Sequence, residues 1–324
     1  MGVPGWLWVT SVGLLVVLLA VDVLVVGRRP HEPSLRECAV AIAGYIGLAV
    51  LFGLGVWWFS GGEYAGEFYA GWLTEYSLSI DNLFVFVIIM ARFQVPRPYQ
   101  QTALLVGIVL ALAMRGVFIA VGAAAIEAFS WVFYVFGAFL VYTAVRLATQ
   151  RESHDDDFKE NRLLRWVRRA LPSTPDWNGV HLTARVDGRR LLTPMFLVIV
   201  ALGTTDLLFA LDSIPAIFGL TQEPYLVLTA NVFALMGLRQ LYFLIGGLLE
   251  RLVYLSLGLS LVLAFIGVKL VLEALHQNEL PFVNGGEPVP VPEISTLLSL
   301  LVIVGVLALT TAASLAKARS ERSG

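Results

Sequence analysis

The chain has 324 residues, of which 58% are hydrophobic and only 14% charged, with a mean hydropathy of +0.79. So little polar surface cannot coat a water-soluble globule, which excludes a soluble enzyme, a nucleic-acid binder and a secreted disulfide scaffold and places the chain in a lipid bilayer. The formal charge of −2 says little as a total, because sidedness carries the information in a membrane protein, and the single cysteine, Cys38, permits no internal disulfide.

A transmembrane helix needs about 20 mostly apolar residues. Apolar runs bounded by charge or by Pro/Gly clusters predict nine spans: 5–26, 38–59, 70–91, 100–122, 128–148, 193–219, 225–247, 252–274 and 295–316. The expected fold is therefore an all-α polytopic membrane protein. A β-barrel is excluded, since segments such as LLVVLLAV are apolar all round instead of at period two. The first span does not read as a cleaved signal peptide: its leader MGVPGWLWVT has no basic residue, and the cluster Arg28, Arg29 and Arg36 follows the apolar run.

Basic residues test the span count. Arg115, Arg239 and Lys269 fall inside spans, and if the spans alternate every other Lys and Arg falls on one side. The opposite side carries Glu63, Glu67, Glu127, Glu223, Glu279, Glu287 and Glu293. The positive-inside rule then predicts a multi-pass protein of the cell (inner) membrane with its N-terminus outside and its C-terminus in the cytoplasm.

The longest loop, 149–192, is expected in the cytoplasm, where it offers a surface for membrane-protein partners. Leu163, Trp166, Val167, Ala170 and Leu171 recur at helical spacing between Arg162, Arg165, Arg168 and Arg169, the pattern of a helix on the membrane surface. His154, Asp155, Asp156 and Asp157 have metal-ligand chemistry, but a charged loop tip accounts for them more simply.

An ionisable group at the bilayer centre costs about 3 kcal/mol even on lenient insertion scales and marks a functional site by default. Span three contains Glu75-Tyr76-Ser77-Leu78-Ser79-Ile80-Asp81-Asn82, and span six contains Asp206-Leu207-Leu208-Phe209-Ala210-Leu211-Asp212-Ser213 followed by Ile214-Pro215. Each holds a carboxylate, five further residues, a second carboxylate and a small polar residue. Each is followed by a span with one arginine, Arg115 or Arg239, and Phe139-Leu140-Val141-Tyr142 then matches Phe265-Ile266-Gly267-Val268. Spans three to five thus look like a copy of spans six to eight. Three is an odd number, so the copies must lie in opposite orientations, the inverted repeat of many secondary transporters. The predicted segments are two N-terminal helices (1–69), a first three-helix repeat (70–148), the loop (149–192), a second repeat (193–275), and a ninth helix with its tail (276–324).

Glu75, Asp81, Asp206 and Asp212 carry two more negative charges than Arg115 and Arg239 balance, which is what a divalent cation supplies. A purely structural pairing of acids with arginines is the alternative, and Lys269 pairs with Glu273 one turn away. Residues six apart on an unbroken helix point about 240° apart, so the two acids of one segment converge only if the helix is interrupted. Pro215, which cannot bond the carbonyl of Leu211, is the expected interruption in span six. Carboxylates, the amides of Asn82 and Asn231, and backbone oxygens are hard donors, whereas every histidine lies in a loop, so the site suits Mg2+, Ca2+ or Mn2+ as a transported ion and not as a permanent cofactor. No phosphate-binding G-x-x-x-x-G-K-[ST] loop is present, which leaves proton exchange as the economical drive.

At these residues the sequence resembles the TerC/Alx family of integral membrane proteins. The likeness covers roughly residues 70–275 and rests on two segments: E-x-x-L-S-x-D-N, from Glu75 to Asn82, and D-x-x-F-A-x-D-S-I-P-A, from Asp206 to Ala216. The resemblance implies Mn2+ efflux, with Glu75, Asp81, Asn82, Asp206, Asp212 and Ser213 matching the family's acidic motifs. It also implies the competing expectation of a non-transporting scaffold for membrane-protein assembly or tellurite resistance. Neither expectation is enzymatic.

Overall fold

The computed structural model describes residues 4–28, 34–129, 131–149, 174, 176–186, 189–245 and 254–323. In chain order the helices are α1 (Gly5–Arg28), α2 (Leu35–Ser60), α3 (Gly62–Arg92), α4 (Arg97–Ala128), α5 (Val132–Thr149), α6 (Pro194–Phe218), α7 (Pro224–Leu235), α8 (Leu238–Ile245), α9 (Leu255–His276) and α10 (Thr296–Ser323). Among the described residues, eight segments are long and apolar enough to cross a membrane, the pair α7–α8 counted as one, and α1 adds a shorter apolar stretch, Trp8–Val17. The all-α polytopic expectation holds.

Local chemistry sets the helix starts. Ser34 and Glu37 form a reciprocal capping box at α2. Pro98, Pro194 and Pro224 stand in the first turns of α4, α6 and α7, where a missing N–H leaves nothing unpaired. Gly61, at φ +101°, makes the one-residue turn from α2 into α3.

Two expectations about breaks are corrected. Helix α6 runs unbroken through Pro215 to Phe218, because the proline removes one hydrogen bond near the helix end and Gly219 N–H still bonds the Pro215 carbonyl. The interruption lies instead in the seventh span, at Met236 and Gly237, where Gly237 has φ +89°. A Cβ there would also crowd the Tyr45 ring, at 3.1 Å. The loop before α6 also holds a short antiparallel hairpin, β1 (Thr183–Val186) with β2 (Arg189–Leu192), and Trp177 from that loop rests on Tyr99 of α4. The expected surface helix around 163–171 and the charged tip at 154–157 lie outside the described residues.

Helices α3, α4, α6 and α7 form the centre: α3 packs on α7, α4 on α6, α3 on α6 and α4 on α7, while α5 packs on α9. Exchanging α3–α4–α5 for α6–α7–α9 maps this set of contacts onto itself. The span α7–α8 is the most enclosed, with 89% of its apolar window buried, whereas α10, at 11%, is peripheral.

The α5–α9 crossing shows the exchange atom by atom. A Cβ on Gly137 would lie 2.9 Å from the Gly267 carbonyl, and one on Gly267 would lie 3.1 Å from the Gly137 carbonyl. The facing valines are reciprocal too, Val271 against Gly137 and Val141 against Gly267. Gly137-x-x-Leu140-Val141-x-x-Ala144 therefore matches Gly267-x-x-Leu270-Val271-x-x-Ala274, which shifts the expected pairing of Phe139 with Phe265 by one helical turn. Gly267→Ala should destabilise the fold by about 1–3 kcal/mol through overpacking against backbone. In detergent its melting midpoint should fall below that of Gly44→Ala, whose Cβ meets open space, and equal midpoints would contradict so tight a crossing.

Candidate functional site

At the crossing of the four central helices sits Arg115, fully buried in α4. Its Nε donates to Asp206 Oδ2 at 3.1 Å and its Nη2 to Asp206 Oδ1 at 3.0 Å, a bidentate fork onto α6. Its Nη1 forms an ion pair with Glu75 of α3 and donates to Asn231 Oδ1 of α7 at 3.4 Å. Glu75 and Asn231 are fully buried, and Asp206 is 2% exposed. One guanidinium thus ties together one side chain from each central helix. Its planar fork accounts for the choice of arginine, since a lysine ammonium cannot grip one carboxylate with two donors while reaching a second.

Helix periodicity selects what accompanies the acids. Glu75, Ser79 and Asn82 fall at i, i+4 and i+7 on one face of α3, and Asp206 and Ser213 fall at i and i+7 on α6. All are buried. Glu75 Oε2, Ser79 Oγ, Ser213 Oγ, Thr74 Oγ1 and Asn231 Nδ2 are buried without a hydrogen-bond partner among the described residues. Buried polar atoms are normally satisfied, so this group is the chemically unusual part of the fold.

On α6 the second acid of the motif is not in this cluster. Asp212, six residues from Asp206, is half-buried and accepts a hydrogen bond from Thr143 Oγ1 of α5 at 3.2 Å, with Arg146 as its cationic neighbour. An unbroken α6 turns it away from Arg115. The side chain of Asp81 lies outside the described residues. Arg239, expected as the second balancing charge, is buried in the first turn of α8, directly after the helix break. Among the described residues no group of three or more His, Cys, Asp or Glu side chains is placed to hold a metal.

Sequence reasoning passed over Thr143, and it treated Asn231 only as a generic amide. The repeated dipeptides Thr74-Glu75 and Thr205-Asp206 were a further signal, both threonines being buried beside their acids.

At one end of the central helices is a cavity of about 390 Å3, lined in part by Glu63, Glu67, Glu223, Glu273, Glu293 and Lys269. Thr221 Oγ1 donates to Glu67 Oε2 at 2.6 Å. Lys269 faces both Glu67 and Glu273, and Glu273 also accepts from the amides of Gln222 and Gln277, so the expected Lys269–Glu273 pair is part of a wider group.

Residues 60–322 match the profile of the integral membrane protein TerC family, a wider stretch than the two acidic segments. An uncharacterized membrane protein of Mycobacterium tuberculosis, Rv2723, is 51% identical over 324 residues, 99% of this chain and 82% of that protein. Another from Myxococcus xanthus, STKORF319, is 41% identical over 318 residues, 98% of this chain and 94% of the relative. A protein of Escherichia coli K12 that carries the name membrane-bound redox modulator Alx is 36% identical over 275 residues, 82% of this chain and 85% of that one. No solved structure matches the chain.

Removing the guanidinium leaves two buried carboxylates without a counter-charge. Arg115→Ala should therefore cost about 3–5 kcal/mol and collapse the monodisperse peak on size exclusion after detergent extraction. Adding Glu75→Gln and Asp206→Asn to the same chain should restore much of that peak. An Arg115→Ala protein as abundant and monodisperse as the parent would show that the cluster does not hold the helices together.

Proposed function

The chain belongs to the TerC family of integral membrane proteins, and from that premise we propose that it is a secondary transporter exporting a divalent metal cation, Mn2+ first, in exchange for protons. The observation that carries this reading is the charge of the buried cluster. Two carboxylates on one guanidinium leave one net negative charge when all three are ionised, and Glu75 Oε2 faces no donor among the described residues. A doubly positive guest would satisfy that oxygen and the hydroxyls of Ser79 and Ser213. The donors are all hard oxygens, which favours Mn2+, Mg2+ or Ca2+ over softer metals.

Three further features support transport. The contacts exchange between two three-helix units, in keeping with inverted repeats at 70–148 and 193–275 around a central site. The seventh span is discontinuous beside the buried Arg239, a feature of ion paths in such proteins. The acid-lined cavity raises the local concentration of cations at one mouth. With the N-terminus outside and the C-terminus in the cytoplasm of the cell membrane, that mouth faces outward, and protons returning to the emptied carboxylates complete the cycle. No catalysis is assigned to any residue.

A second reading has a specific observation behind it. Both acids of the cluster are already held by Arg115, and no described group of three acidic, His or Cys side chains is placed for a metal. Those are the properties of a structural centre in a non-transporting scaffold, with partners recruited through the 149–192 loop. The redox name of the E. coli relative is compatible with such a role.

Purified protein in proteoliposomes separates the two. The transporter should move Mn2+ down an imposed proton gradient, lose that flux when the gradient is collapsed, and lose it in Glu75→Gln, which keeps its size-exclusion profile. Flux no greater than that of protein-free vesicles would leave the scaffold as the better account.

A further inference from the structure

We propose that the turn that closes α6, Ile217 to Thr221, is a gate between the acid-lined cavity and the buried Arg115 centre, with Ile217 as its plug and the Thr221–Glu67 hydrogen bond as its latch. This deepens the transport reading and rests on it. The cavity lining includes Phe218 and Leu220. One residue inward, Ile217 is fully buried against α3 and α7: a Cβ added to Gly71 would lie 3.3 Å from Ile217 Cγ2 and 3.6 Å from the Ala230 side chain. The next residue of α7, Asn231, already touches Arg115.

The barrier is thin. Along α3, Glu67 lines the cavity, Gly71 meets Ile217, and Glu75 reaches the guanidinium. At 1.5 Å rise per residue the eight steps from Glu67 to Glu75 span about 12 Å, with the plug midway. The other end of the centre is closed differently. The counterpart of Gly71 in the second unit is Leu202, whose side chain packs at 3.4 Å from the position a Cβ would take on Gly107. It belongs to an apolar cluster with Leu83, Phe86, Met195 and Val198, several side chains deep. A small residue facing one isoleucine at the cavity end, against a leucine within a packed cluster at the other, makes the cavity end the one that opens with least disruption.

The turn also follows the one proline inside α6. Pro215 withholds the hydrogen bond to the Leu211 carbonyl, and beyond it the backbone is held by Gly219 to Pro215 and by Leu220 and Thr221 to Ile217. Thr221 Oγ1 then fastens the turn to α3 through Glu67 Oε2 at 2.6 Å. A cation on the Glu67 carboxylate competes with that donor for the same oxygen. Its arrival from either side therefore weakens the latch, and its departure restores it. That links occupancy of the path to the position of Ile217 without a separate sensor.

Thiol accessibility tests the gate independently of transport. Cys38 is the only native cysteine and is buried, so a Cys38→Ala chain carrying Ser79→Cys reports on the far side of the plug. In intact vesicles, a quaternary-ammonium methanethiosulfonate applied at the cavity side should react faster by about tenfold when Thr221→Val or Ile217→Ala is added, the population shift expected from losing one buried hydrogen bond or the plug. Gly71→Val should slow it. Unchanged rates in both Thr221→Val and Ile217→Ala, with size-exclusion profiles like the parent, would overturn the gate. Should these rates shift as expected while vesicles of the unsubstituted chain show no Mn2+ flux, the gate stands and the transport reading fails.

Discussion

One guanidinium in a lipid-depth crossing of four helices is the constraint on which the structure turns. An arginine at that depth is tolerated only if its charge and its donors are met by protein, because the bilayer offers neither water nor counter-ion. Arg115 meets this by taking Asp206 in a bidentate fork and Glu75 and Asn231 on its remaining nitrogen, so α3, α4, α6 and α7 must converge on one point. Close approach then becomes a packing requirement, and Gly71, Gly107 and Gly203 supply it where neighbouring helices press side chains into them.

The two three-helix units share their contacts but not their details, and the differences bear on function. The reciprocal glycine crossing of α5 and α9 is symmetric to within a few tenths of an ångström. The second helices differ: α4 is continuous through Arg115, whereas its counterpart breaks at Met236 and Gly237 just before Arg239. The ends differ as well, since the first two turns of α3 place Glu63 and Glu67 in a cavity while the first turns of α6 place Met195 and Val198 in an apolar core. The two related units thus present a polar, acid-lined cavity at one end of the central helices and a packed apolar core at the other.

Much of the fold was legible in the sequence because burial in lipid makes span length and all-round apolarity obligatory. The spans, the duplicated acidic motifs, and the buried charges Glu75, Arg115, Asp206 and Arg239 were all visible as exceptions to that rule. Periodicity alone also indicated that acids six residues apart cannot share a face, and Asp212, bonded to Thr143 on α5, obeys it. Where the sequence misled was in assuming that a proline must break its helix. Pro215 lies too near the end of α6 to interrupt it, and the break fell at Gly237, whose positive φ leaves no mark in composition.

By itself, then, the chain's apolarity and its few buried charges determined that this is a polytopic helical membrane protein with paired acidic segments, because the cost of a charge in lipid singles out the residues that matter. Only the tertiary structure decided which charges meet. Glu75 and Asp206 share Arg115 instead of each facing its own arginine, Asn231 completes the group, and Gly137 aligns with Gly267. Such pairings depend on helix rotation and crossing. These are set by contacts between residues as far as 154 positions apart, which no local pattern encodes.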